Sequence, residues 1–269
     1  MRLASLAMYT TSPPVAAATN ALWNFLRDGL RQEGFADVPE ALDAELPYNE
    51  AWLHPDLLLA QTCGYPYVRH LRGKVRLVAT PAYSHAGCDG PNMCSFIIVR
   101  SGSEVRSLED LRGARAAIND PGSNSGANLF RAAIAPIAGG RPFLSSVIAT
   151  GGHRSSIDAV RTGEADVAAI DCITYGNVQR FDPQALSGIR VLSQTARGPG
   201  LPLITRANAS DEEVAGLRRV LEKAVTDPAL AETRATLSLT EFAVLSDADY
   251  EPLAEFEREA DRLNYPAVA

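Results

Sequence analysis

Runs of apolar residues alternate along this chain between two periods. Leu3–Met8 reads as a first β-strand, and Ser12-Pro13 then opens a helix whose stripe Val15, Leu22, Phe25, Leu26 and Leu30 runs to about Gly34. Residues 35–60 break at Leu46-Pro47-Tyr48 and turn at Trp52-Leu53-His54-Pro55 before Asp56–Ala60, which has the look of a buried strand. Tyr65–Leu71 predicts a short helix, and Val75–Thr80 and Phe96–Val99 predict strands on either side of an irregular segment, Pro81–Pro91. From Ser107 the units become compact: a helical turn at Leu108–Leu111, a strand at Arg115–Ile118, then Asp120-Pro121-Gly122 as a forced turn. Leu129, Phe130, Ala133, Ile134 and Ile137 recur with helical spacing after it.

The same alternation continues. A strand falls within Phe143–Thr150, a helix spans Ser155–Thr162 and stops at Gly163, and strands follow at Asp166–Ile170, Ile189–Ser193 and Leu201–Thr205. Ser210 and Glu213 form a capping box for a helix to about Val225, and a last helix covers about Ala248–Leu263. The pattern predicts an α/β fold of two lobes, each a mostly parallel sheet flanked by helices, with a ligand cleft between the lobes at the carboxyl ends of the strands. The chain divides into an outer lobe, residues 1–98 plus 201–269, and a central lobe, residues 99–200, and crosses between them twice, as at a hinge.

Composition narrows the role. The 269 residues are 46% apolar and 21% charged, an ordinary globular balance. With a net charge of −7 and no cluster of Lys or Arg, nucleic acid and anionic membrane surfaces are excluded as partners, and no apolar run is long enough to insert in a bilayer. The apolar stretch at the N-terminus is short for a leader, and no small-residue cleavage site comes before Pro13-Pro14. The location is therefore periplasmic if a leader has been removed and cytoplasmic otherwise. Four cysteines, at 63, 88, 94 and 172, lack the spacing of a zinc site; Cys63 and Cys88 both follow strands and form the pair to test for a disulfide.

The strand ends carry the candidate chemistry. Ser123, Asn124, Ser125 and Gly126 lie between a strand and a helix, where unpaired N–H groups and the positive end of the helix dipole favour an anion; a serine there also serves as a simple helix cap. His153 and Asp171 end strands of the same lobe, and Asp171 alternatively caps the segment Ile173–Val178. Tyr9, Tyr65 and Tyr83 follow strands of the outer lobe and suit either ligand contacts or ordinary half-buried packing. Glu164 and Asp166 read as a solvated turn. There is no nucleophile elbow, and the Gly122–Gly126 loop lacks the Lys-Ser/Thr of a phosphate-binding P-loop, so the site is expected to hold a ligand rather than react with it, and no cofactor or metal is implied.

Three motifs together carry a resemblance: Asp120-Pro-Gly-Ser-Asn-Ser-Gly126, Gly151-Gly-His153 and Gly163-Glu-Ala-Asp-Val-Ala-Ala-Ile-Asp171. In order and spacing they are similar to those of the phosphate/phosphonate-binding (PhnD-like) solute-binding proteins of ABC transporters. The resemblance implies a type 2 periplasmic-binding-protein fold that closes on a small oxyanion and delivers it to an ABC-transporter membrane component. By the motif match, Ser123, Asn124, Ser125 and His153 would donate to phosphonate or phosphate oxygens, Asp171 would face a protonated oxygen or an amino group, and Tyr9 and Tyr83 would contribute from the outer lobe. Asn124 departs from the family's Thr, which exchanges a hydroxyl for an amide that both donates and accepts. Two alternatives stand beside this role: an enzyme on the same fold, resembling those of the futalosine route to menaquinone and using His153 as acid/base, and a cytoplasmic ligand sensor.

Overall fold

A computed structural model describes residues 2–10 and 12–269. The chain forms two compact units. One comprises Met1–Ser84, Asp89–Pro91 and Pro199–Tyr250, the other His85–Cys88, Asn92–Gly198 and Glu251–Ala269. The closing segment, Glu251–Ala269, thus belongs with the central residues, whereas the sequence pattern places it with the outer lobe. The reason is packing: Ala260 and Tyr265 join the core formed by Ile97, Phe130, Ile134 and Val167, and the Pro266 carbonyl accepts from Arg131 Nη1 at 2.6 Å.

In the first unit the strands run in the order Leu3–Ser5, Leu57–Gln61, Leu203–Arg206, Val75–Tyr83, Leu239–Ala243. Leu3–Ser5 pairs parallel to Leu57–Gln61, while Leu203–Arg206 is antiparallel to both of its neighbours and Leu239–Ala243 is antiparallel to Val75–Tyr83. The helix Pro13–Gln32 turns Val15, Leu22, Trp23, Leu26 and Leu30 into the core. Each such fully buried large side chain contributes about 1.5–3 kcal/mol. Gly29 permits the close approach of the helix Asp211–Thr226, because a Cβ there would lie 2.8 Å from Val220 Cγ1. Ser12 occupies the cap position with extended backbone, but its hydroxyl makes no capping bond; Pro13 and Pro14 lack two of the N–H groups that a cap would serve.

In the second unit the order is Ser146–Ala149, Arg115–Ile118, Val167–Asp171, Ser95–Arg100, Ile189–Gln194. Arg115–Ile118 is parallel to both of its neighbours, and Ser95–Arg100 is antiparallel to both of its own. The helices Leu129–Ala138, His153–Thr162, Cys172–Phe181 and Glu251–Arg262 belong to this unit.

The α/β architecture with helix-flanked sheets stands, but mostly parallel sheets do not. Strands laid down before the chain leaves a unit run one way. The strand that enters the second unit, and those added after the return to the first, run the other way. This is permitted because an antiparallel pair needs no crossover helix. Asp166 also differs from its reading as a solvated turn. It accepts from the Arg115 N–H at 3.0 Å and from the Arg115 and Arg100 guanidinium groups, and the Arg115 hydrogen bond leads in holding its carboxyl far below the usual carboxylate range.

Candidate functional site

The parallel strands of the second unit end together, and three of the motifs follow them directly. After Ile118 the chain turns through Asp120-Pro121-Gly122, where Asp120 Oδ1 accepts from the Gly122 N–H at 2.7 Å and the Asp120 carbonyl accepts from the Ser123 N–H at 3.0 Å. Ser123 is extended and caps the next helix, its Oγ accepting from the Gly126 N–H at 3.2 Å. The opening turn, Asn124–Asn128, is wide, with the Asn128 N–H donating five residues back to the Ser123 carbonyl, and it runs straight into Leu129–Ala138. Gly126 is required there: a Cβ would fall 1.9 Å from Asn119 Oδ1 and 3.3 Å from the Asn119 nitrogen.

His153 opens the next helix, His153–Thr162, beyond the strand Ser146–Ala149. Its Nε2 lies 2.8 Å from Ser125 Oγ. Burial lowers the imidazole to about 4, and the Ala169 backbone only partly opposes this; among the described residues Nδ1 makes no well-formed hydrogen bond. The ring is therefore neutral at pH 7, with one N–H to donate. Thr150 secures the approach to this helix, its Oγ1 bonding the Ile118 and Gly152 carbonyls and the Ser156 hydroxyl.

Asp171 ends the third strand and is 2% exposed. Its Oδ1 accepts from the Ile173 and Thr174 N–H groups, both at 2.8 Å, so it caps the helix Cys172–Phe181 as one of its two readings anticipated. Ser95 ties the pieces together. It is the register partner of Asp171, and its Oγ donates to the Ser125 carbonyl at 2.8 Å. Sequence reasoning missed it, because a residue at the start of an antiparallel strand reaches the strand-end side of the sheet only through a register that spacing does not reveal.

The structure thus gathers Ser123, Asn124, Ser125, Gly126, His153 and Asp171 on one unit, with Ser123, Asn124 and Ser125 buried. Tyr9, Tyr65 and Tyr83 belong to the other unit. Tyr9 and Tyr83 meet edge to face, their rings 5.9 Å apart at 81°, and Tyr65 is half-buried in the turn Gly64–Pro66. The cysteines are all free. Cys88 Sγ lies 3.5 Å from Cys172 Sγ, so the neighbour of Cys88 within its unit is Cys172, and Cys63 falls in the other unit. No helix among the described residues is long and apolar enough to cross a membrane.

Residues 51–250 match the family model described as ABC transporter, phosphonate, periplasmic substrate-binding protein. No curated protein matches in sequence. Among solved structures, PhnD1 from Prochlorococcus marinus in complex with methylphosphonate is 16% identical with a TM-score of 0.75, over 97% of this chain and 98% of that one. A binding protein component of an ABC phosphonate transporter from Pseudomonas aeruginosa is 19% identical with a TM-score of 0.74, over 98% and 88%. A Xanthomonas citri protein bound to ATP is 18% identical with a TM-score of 0.70, over 97% of each chain. At these identities the likeness is one of fold.

Proposed function

Because the chain belongs to the family of phosphonate periplasmic substrate-binding proteins of ABC transporters, we propose that it captures a small oxyanion, a phosphonate, phosphate or phosphate ester, on the loop Ser123–Gly126. The observation that carries this reading is the 2.8 Å contact of His153 Nε2 with Ser125 Oγ at the opening of a helix. Ser123, Asn124, Ser125 and neutral His153 then supply hydrogen-bond donors to the oxyanion, and Asp171 supplies an acceptor for a protonated oxygen or an amino group. Tyr9, Tyr65 and Tyr83 are proposed as further ligand contacts on the resemblance alone. The loaded protein delivers its ligand to the membrane component of an ABC transporter.

A depressed His153 suits this role better than it suits catalysis. An acid/base catalyst works best near the ambient pH, whereas a group at about 4 stays neutral and serves as a fixed hydrogen-bonding partner.

A thermal-shift panel of methylphosphonate, inorganic phosphate and simple phosphate monoesters tests the reading. A ligand at about 100 times its dissociation constant adds about 2.7 kcal/mol, which raises the melting temperature by about 5 °C or more in a protein of this size. A shift with at least one of these anions, and none with chloride at equal ionic strength, is expected. No shift with any of them contradicts the proposal.

A further inference from the structure

Asn124 stands where the family pattern has Thr, and an amide can face a ligand with either its oxygen or its NH2. The oxygen would repel an oxyanion and the NH2 would bind it, so the orientation decides whether the replacement works at all. The residues behind it settle the question. Arg131 is buried, and its Nη2 lies 2.8 Å from one end of the Asn128 amide. A guanidinium only donates, so that end of Asn128 is the oxygen. The other end lies 2.9 Å from the Leu253 carbonyl, which only accepts, so it is the NH2. Two independent partners thus fix Asn128 in one orientation. The same NH2 lies 3.2 Å from the Asn124 amide, and the atom it meets there is therefore Oδ1. The Asn124 NH2 is the end turned away from Asn128.

We propose that Arg131 and Asn128 are positioning residues that set the Asn124 side chain as a hydrogen-bond donor to the ligand, and so make the site selective for anions whose oxygens accept. The spacing supports this. Asn124, Asn128 and Arg131 follow one another at i+4 and i+3, along one face of a single continuous helix. Arg131 is itself fixed, its Nη1 donating to the Pro266 carbonyl at 2.6 Å and its Nη2 lying 3.9 Å from Glu257 Oε1. The relay therefore joins the anion loop to the C-terminal segment of the same unit. A Thr in place of Asn124 would need no such relay, because a hydroxyl rotates to suit its partner. The proposal rests on the reading of Ser123–Gly126 as the oxyanion loop.

The test is a double-mutant cycle between Asn124→Ala and Asn128→Asp. Aspartate keeps the size of Asn128 and its bond from Arg131, but it has no N–H to give, so Asn124 turns to donate backwards and presents its oxygen forwards. Binding of methylphosphonate and of inorganic phosphate is measured by calorimetry. In the parent protein, N128D is expected to weaken binding about tenfold or more, the loss of a charge-assisted hydrogen bond. In the N124A background it is expected to cost much less, leaving only the through-space effect of the added charge. Equal losses in both backgrounds overturn the proposal. The side-chain amide region of a ¹⁵N spectrum of the ligand-free protein separates this from a failure of the functional reading. There the Asn124 NH2 pair should shift strongly in N128D, with the backbone spectrum kept. An unmoved Asn124 pair overturns the relay whether or not either anion binds, whereas a shifted pair in a protein that binds neither supports the relay and refutes only the oxyanion.

Discussion

Ser125 Oγ and His153 Nε2 stand 2.8 Å apart although 28 residues separate them. The contact joins the two motifs through the ends of the strands Arg115–Ile118 and Ser146–Ala149, which pair in parallel register from Arg115↔Ser146 to Ile118↔Ala149. It is also what keeps a neutral imidazole in place. The native ring titrates near 4 while the unfolded chain's titrates near the usual value of about 6.5, so the unfolded state binds the extra proton between those limits.

Stability should therefore fall as the pH drops from about 6.5 to 4, with His153 contributing up to about 3 kcal/mol of that loss. Urea unfolding across this range checks it. His153→Gln should flatten the slope in this window; an unchanged slope would mean that the ring is not held neutral in the native state.

Gly126→Ala should disrupt the loop. The new Cβ would fall 1.9 Å from Asn119 Oδ1, and relief requires moving either Asn119 or the first turn of the helix. A loss of about 1–3 kcal/mol in thermal or urea unfolding is expected, along with weaker anion binding. A variant as stable as the parent would show that the loop is loosely held.

The capping box offers a test away from the site. Glu213 accepts from the Ser210 N–H and from Arg206 and Arg2, and these partners overcome the cost of burial to bring its carboxyl down to about 2. A depressed carboxylate stabilises above its unfolded value of about 4.5, and that contribution disappears as the pH falls toward 2. Glu213→Gln should thus cost about 1–2 kcal/mol at pH 7 and almost nothing near pH 2. Ser210→Ala should cost about 1 kcal/mol.

These predictions also mark what was legible in the sequence. The capping box, the Asp120–Gly122 turn and the strand-loop-helix around Ser123 depend on neighbours within a few residues, and local spacing shows them. Strand direction does not follow from spacing, so the antiparallel entry of Ser95–Arg100, and with it the bond from Ser95 to the loop, stayed hidden. The helix Ala231–Leu237 and the edge strand Leu239–Ala243 were missed for another reason. Among the residues of that helix none is buried, and along that strand only Leu239 is, so neither shows a clear period. The placement of Glu251–Ala269 depends on which core Ala260 and Tyr265 enter, a matter of tertiary packing that an amphipathic stripe leaves open.

All four thiols should titrate in denatured, unreduced protein, and Cys88 should react first in the native state because it is half-buried while Cys63, Cys94 and Cys172 are buried. Hydrogen bonding with Cys88, together with burial, raises the Cys172 thiol and slows it further. Two reactive thiols instead of four would mean that the sulfurs of Cys88 and Cys172, 3.5 Å apart here, close into a bond.

The most direct test of the account is calorimetric titration of methylphosphonate into the intact protein and into Ser125→Ala. The account predicts saturable binding at one site in the parent protein. It predicts an affinity at least about tenfold lower in the variant, with the melting temperature nearly kept, because the lost hydroxyl bonds His153 and the ligand rather than the core. Equal affinity in the two proteins would contradict the assignment of the Ser123–Gly126 loop.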